Sequence, residues 1–179
     1  MARKQARGLS AFHADDDISR CPFGSARCLP GPERLVALGF RYWMRGRIEG
    51  SVTHWERAWN LYSGLLGVAD AQVAVGRLSR WVGAISDSCA RNIEVSSEEC
   101  RSFCRDECIA VSIIAACQHN TCPALRACAF ALVESSSIDG VVGGAQAFAD
   151  TMSGFNQVLS PRSIIAAPVF GPPASQRLQ

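Results

Sequence analysis

Between residues 32 and 160 the apolar positions recur at intervals of three and four, the period of helices that turn one face to a core. Pro32 suits a first helical position, and residues 32–45 then carry Leu35, Leu38 and Tyr42 along one side. Arg34, Arg41 and Arg45 share another side, which reads as a solvated or ion-paired face. Residues 51–66 place Val52, Trp55, Trp59, Tyr62 and Leu66 on one stripe, the expected core side of a second helix, with His54 at its edge as a hydrogen-bonded core residue and Gly67 as its stop. Over 70–91, capped at Asp70, the inward positions are Ala71, Ala74, Leu78, Trp81, Val82, Ile85 and Cys89, with Arg77, Arg80 and Asp87 outside.

A Ser96/Glu99 capping box opens a fourth helix that runs to about residue 117. His119, Asn120 and Thr121 make a turn, and Pro123 starts a fifth helix, "PALRACAFALVESS", apolar on most sides. Ser136 or Ser137 caps a sixth, with Ile138, Val141, Val142, Ala145, Phe148, Ala149, Met152 and Leu159 on one face up to Pro161. No internal repeat is evident. The pattern predicts an all-α single domain over residues 32–159, about six helices in a largely up-and-down array. The segments 1–31 and 160–179 are broken by proline and glycine without a sustained period and are expected to be flexible.

Composition narrows the function classes. A chain of 179 residues with 48% apolar content can bury one proper core. Its formal net charge of +2 gives no electrostatic footprint for nucleic acid, and no apolar run approaches the roughly 20 residues of a membrane span. The basic start is followed by Asp15, Asp16 and Asp17 rather than by an apolar stretch, so a soluble, cytoplasmic protein is expected. Nine cysteines, an odd number, in a reducing compartment point to thiols rather than to a disulfide framework.

Six of those cysteines fall in "CRSFCRDECIAVSIIAACQHNTCPALRAC", residues 100–128. On a continuous helix Cys100, Cys104 and Cys108 share an arc of about 80° with Val111 and Ile114, where free cysteine acts as a small core residue. Glu107 lies in the same arc. A buried carboxylate must be protonated, paired or metal-bound. Pairing with an arginine such as Arg126 is one solution; a site of Cys104, Glu107 and Cys108, completed by Cys128 or Cys100, is the other. A second candidate lies at the hairpin turn. Cys117, His119 and Cys122 offer thiolate and imidazole ligands suited to zinc or another thiophilic metal, with Cys21 or Cys28 available as a fourth. Cys122, directly before Pro123, would sit at a helix N-cap, where unpaired N–H groups favour a thiolate; it is the expected reactive thiol.

No nucleotide-binding loop, zinc-protease, hydrolase-elbow, CxxC or ExxH motif occurs, so no catalytic constellation is nominated. Residues 61–81, with Ser63, Leu66, Gly67, Val68 and Val73, loosely resemble a helix-turn-helix, although Gly76 stands where an apolar anchor belongs. The sequence reads as an interaction domain for a protein partner, without catalysis or cofactor. A thiol-based metal or redox sensor using the 117–122 turn is the alternative, and a helix-turn-helix DNA reader the weaker one.

Overall fold

The structure, a computed structural model, describes residues 31–165. These form α1 (Gly31–Glu49), α2 (Val52–Leu66), α3 (Val68–Ser88), α4 (Arg105–Gln118), α5 (Cys122–Val133), α6 (Asp139–Gly154) and a 3-10 turn at Pro161–Ser163. No strand occurs among the described residues, and the all-α single domain expected from the periodicity is what forms. Residues 1–30 and the tail beyond residue 165 lie outside the described residues.

The fold is built around α4. Residues 109–117 carry no charge, and every residue from Asp106 to Cys117 is buried. A helix apolar on all sides requires neighbours on all sides. It is covered by α1, α5, α6 and the 3-10 turn. Ile109, Ile113 and Ile114 are fully buried, each contributing about 1.5–3 kcal/mol of burial free energy. A second layer joins α1, α3 and α6 at Trp81, which stacks on Phe148 with ring centroids 5.8 Å apart and tilts against Phe40 at the same separation. Gly144 of α6 admits the Trp81 backbone, with space for a Cβ only 3.1 Å from the Trp81 Cα.

The peripheral α2 is placed differently from its apolar stripe. Its buried residues are His54, Ala58 and Tyr62, whereas Val52 is exposed and Trp55 and Trp59 are half-buried. Two glycines on α1 explain the rotation. A Cβ on Gly39 would collide with the Tyr62 ring, and one on Gly46 with the Trp55 indole, so the two bare positions let α2 settle its aromatics onto the α1 backbone. Trp55 also lies 6.0 Å from Trp43 and donates its Nε1–H to the Trp43 carbonyl at 3.4 Å.

Gly67 is the whole link between α2 and α3. With φ of +83° it donates its N–H to Ser63 O at 3.0 Å, ending α2, and accepts from Ala71 N at 3.0 Å, beginning α3. It therefore does the capping assigned to Asp70, which lies in the first turn of α3. A one-residue corner leaves no room for the turn of about three to four residues that a helix-turn-helix uses.

The largest departure is at α4. Residues 89–104 form no helix, so the Ser96/Glu99 start is replaced by one at Arg105. The C-terminal segment is also more engaged than its prolines suggest. Gln118 of α4 bonds both Gln157 O (2.9 Å) and Leu159 N (2.8 Å), and Glu33 Oε1 on α1 accepts from Ser160 N at 2.6 Å and Ser163 Oγ at 3.1 Å. Ser112 bonds Ser163 O and Ile165 N, at 2.7 and 3.1 Å, which docks residues 157–165 across α1 and α4.

Glycine substitutions test the α1–α2 seam by sign. An alanine in an open helical position stabilises by about 1 kcal/mol relative to glycine, and Gly143→Ala, with nothing within 4 Å of its Cβ, is expected to do so. Gly39→Ala and Gly46→Ala are expected instead to destabilise by about 1–3 kcal/mol through overpacking. Chemical denaturation of the three variants gives the comparison.

Candidate functional site

The two cysteine sites proposed from spacing fall at opposite ends of α4. At its start, Cys104 is the N-cap, and Glu107, three residues on, accepts the Cys104 N–H at 2.8 Å. The rest of Glu107 belongs to Arg41. Arg41 Nε meets Glu107 Oε1 at 2.6 Å and Nη2 meets Oε2 at 3.0 Å, a bidentate pair with both side chains almost wholly inaccessible. The remaining guanidinium N–H groups reach Cys100 O (3.0 Å), Ser102 O (2.7 Å) and Ser97 O (3.4 Å), and the Phe103 ring lies 4.8 Å from the guanidinium carbon. Ser96 adds its N–H and hydroxyl to Glu107, each at 3.1 Å.

This geometry explains why residues 96–104 are not helical. The carbonyls of Ser97, Cys100 and Ser102 answer Arg41, and the Ser96 hydroxyl, free to cap a helix in isolation, is turned to Glu107. The shared arc of Cys100, Cys104 and Cys108 therefore does not form, since only Cys108 lies within α4. The partner suggested for Glu107, Arg126, is exposed and sits 3.4 Å from Asp139 instead. Arg41, expected on a solvated stripe, is the buried partner. The neighbouring Asp106 is held in the same manner by Arg91, at 2.6 and 2.8 Å, and by Glu94 N at 2.9 Å.

As a metal site, Cys104, Glu107 and Cys108 are spent. Cys108 is disulfide-bonded, so it offers no thiolate. Burial, reinforced by the Glu107 charge, pushes the Cys104 thiol up to about 12, and its Sγ lies 3.1 Å from Glu94 O as a donor. Both Glu107 oxygens are already taken by Arg41, Ser96 and the Cys104 N–H.

At the far end of α4, Cys117 is buried, with its thiol pushed up to about 12 by burial, then by the charges of Asp150 and Cys122. His119 caps the helix and donates its Nε2–H to Leu159 O at 2.8 Å. Cys122 is the first residue of α5 rather than the N-cap, which is Thr121, and its side chain is exposed. Among the described residues no group of three or more histidine, cysteine, aspartate or glutamate side chains is arranged to hold a metal ion. The suggested fourth ligands, Cys21 and Cys28, lie outside the described residues.

No protein-family model, curated protein or solved structure matches the chain. What the geometry defines is an all-α domain whose most elaborate polar centre is an Arg41–Glu107 clamp. Sequence reasoning found the carboxylate and missed the arginine. A signal was present: Arg41 lies between Ala37 and Met44 at helical spacing, so it shares their buried side.

The clamp predicts an asymmetry in double variants. Breaking a buried ion pair costs about 3–5 kcal/mol, so Arg41→Met is expected to lose that much in denaturant titration. Adding Glu107→Leu removes the orphaned charge, yet it is expected to restore only part of the loss, because three loop carbonyls still lack the guanidinium. Complete restoration would show that Arg41 does no more than neutralise Glu107.

Proposed function

We propose that the chain is a small, soluble helical domain that works through protein contacts rather than through catalysis or a bound cofactor. The observation that carries this reading is the α2–α3 corner. Leu65 and Val68, on either side of the Gly67 link, are 62% and 68% exposed, the highest values among the exposed large apolar side chains. Apolar side chains exposed close together in the chain offer a surface that a partner can cover. Among the described residues no helix is long and apolar enough to cross a membrane. The buried polar groups support the same reading, since Arg41, Glu107, Asp106 and Ser112 are consumed in holding the chain together.

A photocrosslinking residue at Val68, in cells that produce the chain, is expected to form one discrete protein adduct. The same probe at Arg80, an exposed polar position on α3, is expected to form none, and Leu65→Glu should abolish the Val68 adduct without unfolding the domain. Equal labelling from both positions would defeat the interaction reading.

A thiol-based metal or redox sensor is the second reading, favoured by one observation: Cys122 is the exposed thiol among the six free cysteines of the described residues. Free thiols suit a cytoplasmic setting, and the Cys108 disulfide stands apart from it. Alkylation proceeds through thiolate. Timed labelling with peptide mapping is therefore expected to modify Cys122 first, while Cys104 and Cys117, pushed up to about 12, and Cys128, pushed by burial up to about 11, remain thiols through neutral pH. Stoichiometric zinc lost on Cys122→Ala would promote this reading over the first.

A further inference from the structure

Helix α5 leaves one side without a neighbour among the described residues. It packs on α4 and more lightly on α6, its only charge is Arg126, and its buried residues are Leu125, Cys128, Ala129, Leu132 and Val133. At about 100° per residue these five fill one arc, with Cys128 at one edge and Val133 at the other. The remaining side is apolar as well. Ala131 and Ala127, half-buried, lie about 60° and 100° round from Cys128, and Pro123 and Phe130, both exposed, about 140° and 160°. Phe130 is 55% exposed, the one aromatic among the exposed large apolar side chains of the described residues.

The chain itself arrives at the edge of this bare side. Ile165, the last described residue, is buried; its N–H donates to Ser112 Oγ of α4 at 3.1 Å, and its carbonyl accepts from Cys128 Sγ at 3.5 Å. Cys128 is where the buried arc of α5 ends and the alanine side begins. Residues 166–170 follow in the sequence as Ala-Ala-Pro-Val-Phe, and no charge occurs between Arg162 and Arg177. Pro168 biases the residue before it toward extended backbone. Extended residues advance about 3.3–3.6 Å each, so Phe170 can reach up to about 17 Å from Ile165. That is enough to pass round a helix about 10–12 Å across.

We infer that the bare face of α5 is an intramolecular docking site for residues 166–170, with Ala166 and Ala167 crossing Ala131 and Ala127, and Val169 and Phe170 covering the Phe130 ring. The alanines make a shallow track, because a methyl side chain lets a second backbone come close, and the track ends at the aromatic side chain. An uncharged apolar segment and an uncharged apolar face are withdrawn from water together. A second copy of the chain, or a foreign partner, would lose translational and rotational freedom on binding here. The anchor at Ile165 instead holds residues 166–170 beside the face at high effective concentration. The site involves neither Leu65 nor Val68, so it is tested separately from the α2–α3 corner.

The test uses the purified full chain carrying Phe130→p-benzoylphenylalanine, a photoreactive side chain that keeps the site aromatic. Irradiation in dilute solution, followed by proteolysis and mass spectrometry, is expected to join the α5 peptide to the peptide holding residues 166–170 of the same chain, with a yield unchanged by further dilution. Adding Val169→Glu and Phe170→Glu is expected to lower that yield about tenfold, because a carboxylate resists burial without a partner. Should the probe disturb the fold, nuclear Overhauser contacts between the Phe130 and Phe170 rings of the unaltered chain serve instead and are expected to be present. A crosslink between two chains, which would make a second copy the occupant, overturns the docking. So does an adduct elsewhere in the chain, no adduct at all, an undiminished yield in the glutamate variant, or the absence of ring contacts.

Discussion

Burying Arg41 is the constraint from which much of the fold follows. A guanidinium has five N–H donors and cannot be neutralised within the pH range of a folded protein. Once Phe40 and Met44 pull their side of α1 into the core, Arg41 goes with them, and every donor must find an acceptor. Glu107 supplies two. The others are carbonyls of Ser97, Cys100 and Ser102, which fixes residues 96–102 as an irregular wrap around the guanidinium. Helix α4 then begins where the wrap ends, with Glu107 serving both as ion-pair partner and as acceptor for the N-cap amide. One side chain thus sets a loop conformation, a helix start and the contact between α1 and α4.

The rest of the architecture answers the other demand, that of α4 for cover on every side. A helix with no polar face cannot be an edge element, so its neighbours cannot all be adjacent in sequence. α5 folds back directly, α6 returns from the far side, and residues 157–165 close the remaining gap by hydrogen bonds to Gln118, Ser112 and Glu33. Ser112 is the telling residue. Buried in the middle of α4, it would be costly unpaired, and it both donates to Ser163 O and accepts from Ile165 N. The two termini of the described region meet through Glu33 on the same surface.

Most helices were legible because their periodicity was local. The inner residues of α3 and α6 named from spacing are the buried ones, with exceptions near the helix ends such as Cys89. The misreadings share a cause. The Trp55/Trp59 stripe was the strongest apolar signal on α2, but two glycines on another helix decided how α2 is rotated. Ser96/Glu99 was a sound local cap, but a distant arginine required those residues elsewhere. Arg41 itself reads as surface because arginine usually is surface. Non-local partners, separated here by 66 residues, leave no trace in a window of one helix. The candidate site fared worse than the fold for the same reason: cysteine spacing assumed a continuous helix from residue 96 that the clamp forbids.

The segment 89–104 differs in kind from the helices around it. It has little backbone ladder of its own, and its order comes from charged contacts: Arg41 with Glu107, Arg91 with Asp106, and Arg57 with Glu98. These divide by depth. Arg41–Glu107 is sealed from solvent, whereas the Glu98 contact lies nearer the surface, where ionic screening acts over about 8–10 Å. Ile93 and Phe103 are buried toward the two ends of the segment, with Glu98 between them. The middle can therefore loosen while both ends remain docked. Local stability in a folded domain ranges from near zero up to the global value, and here that gradient runs along a single loop, from a core-bound end held by Arg41 and Glu107 to a rim held by contacts open to solvent.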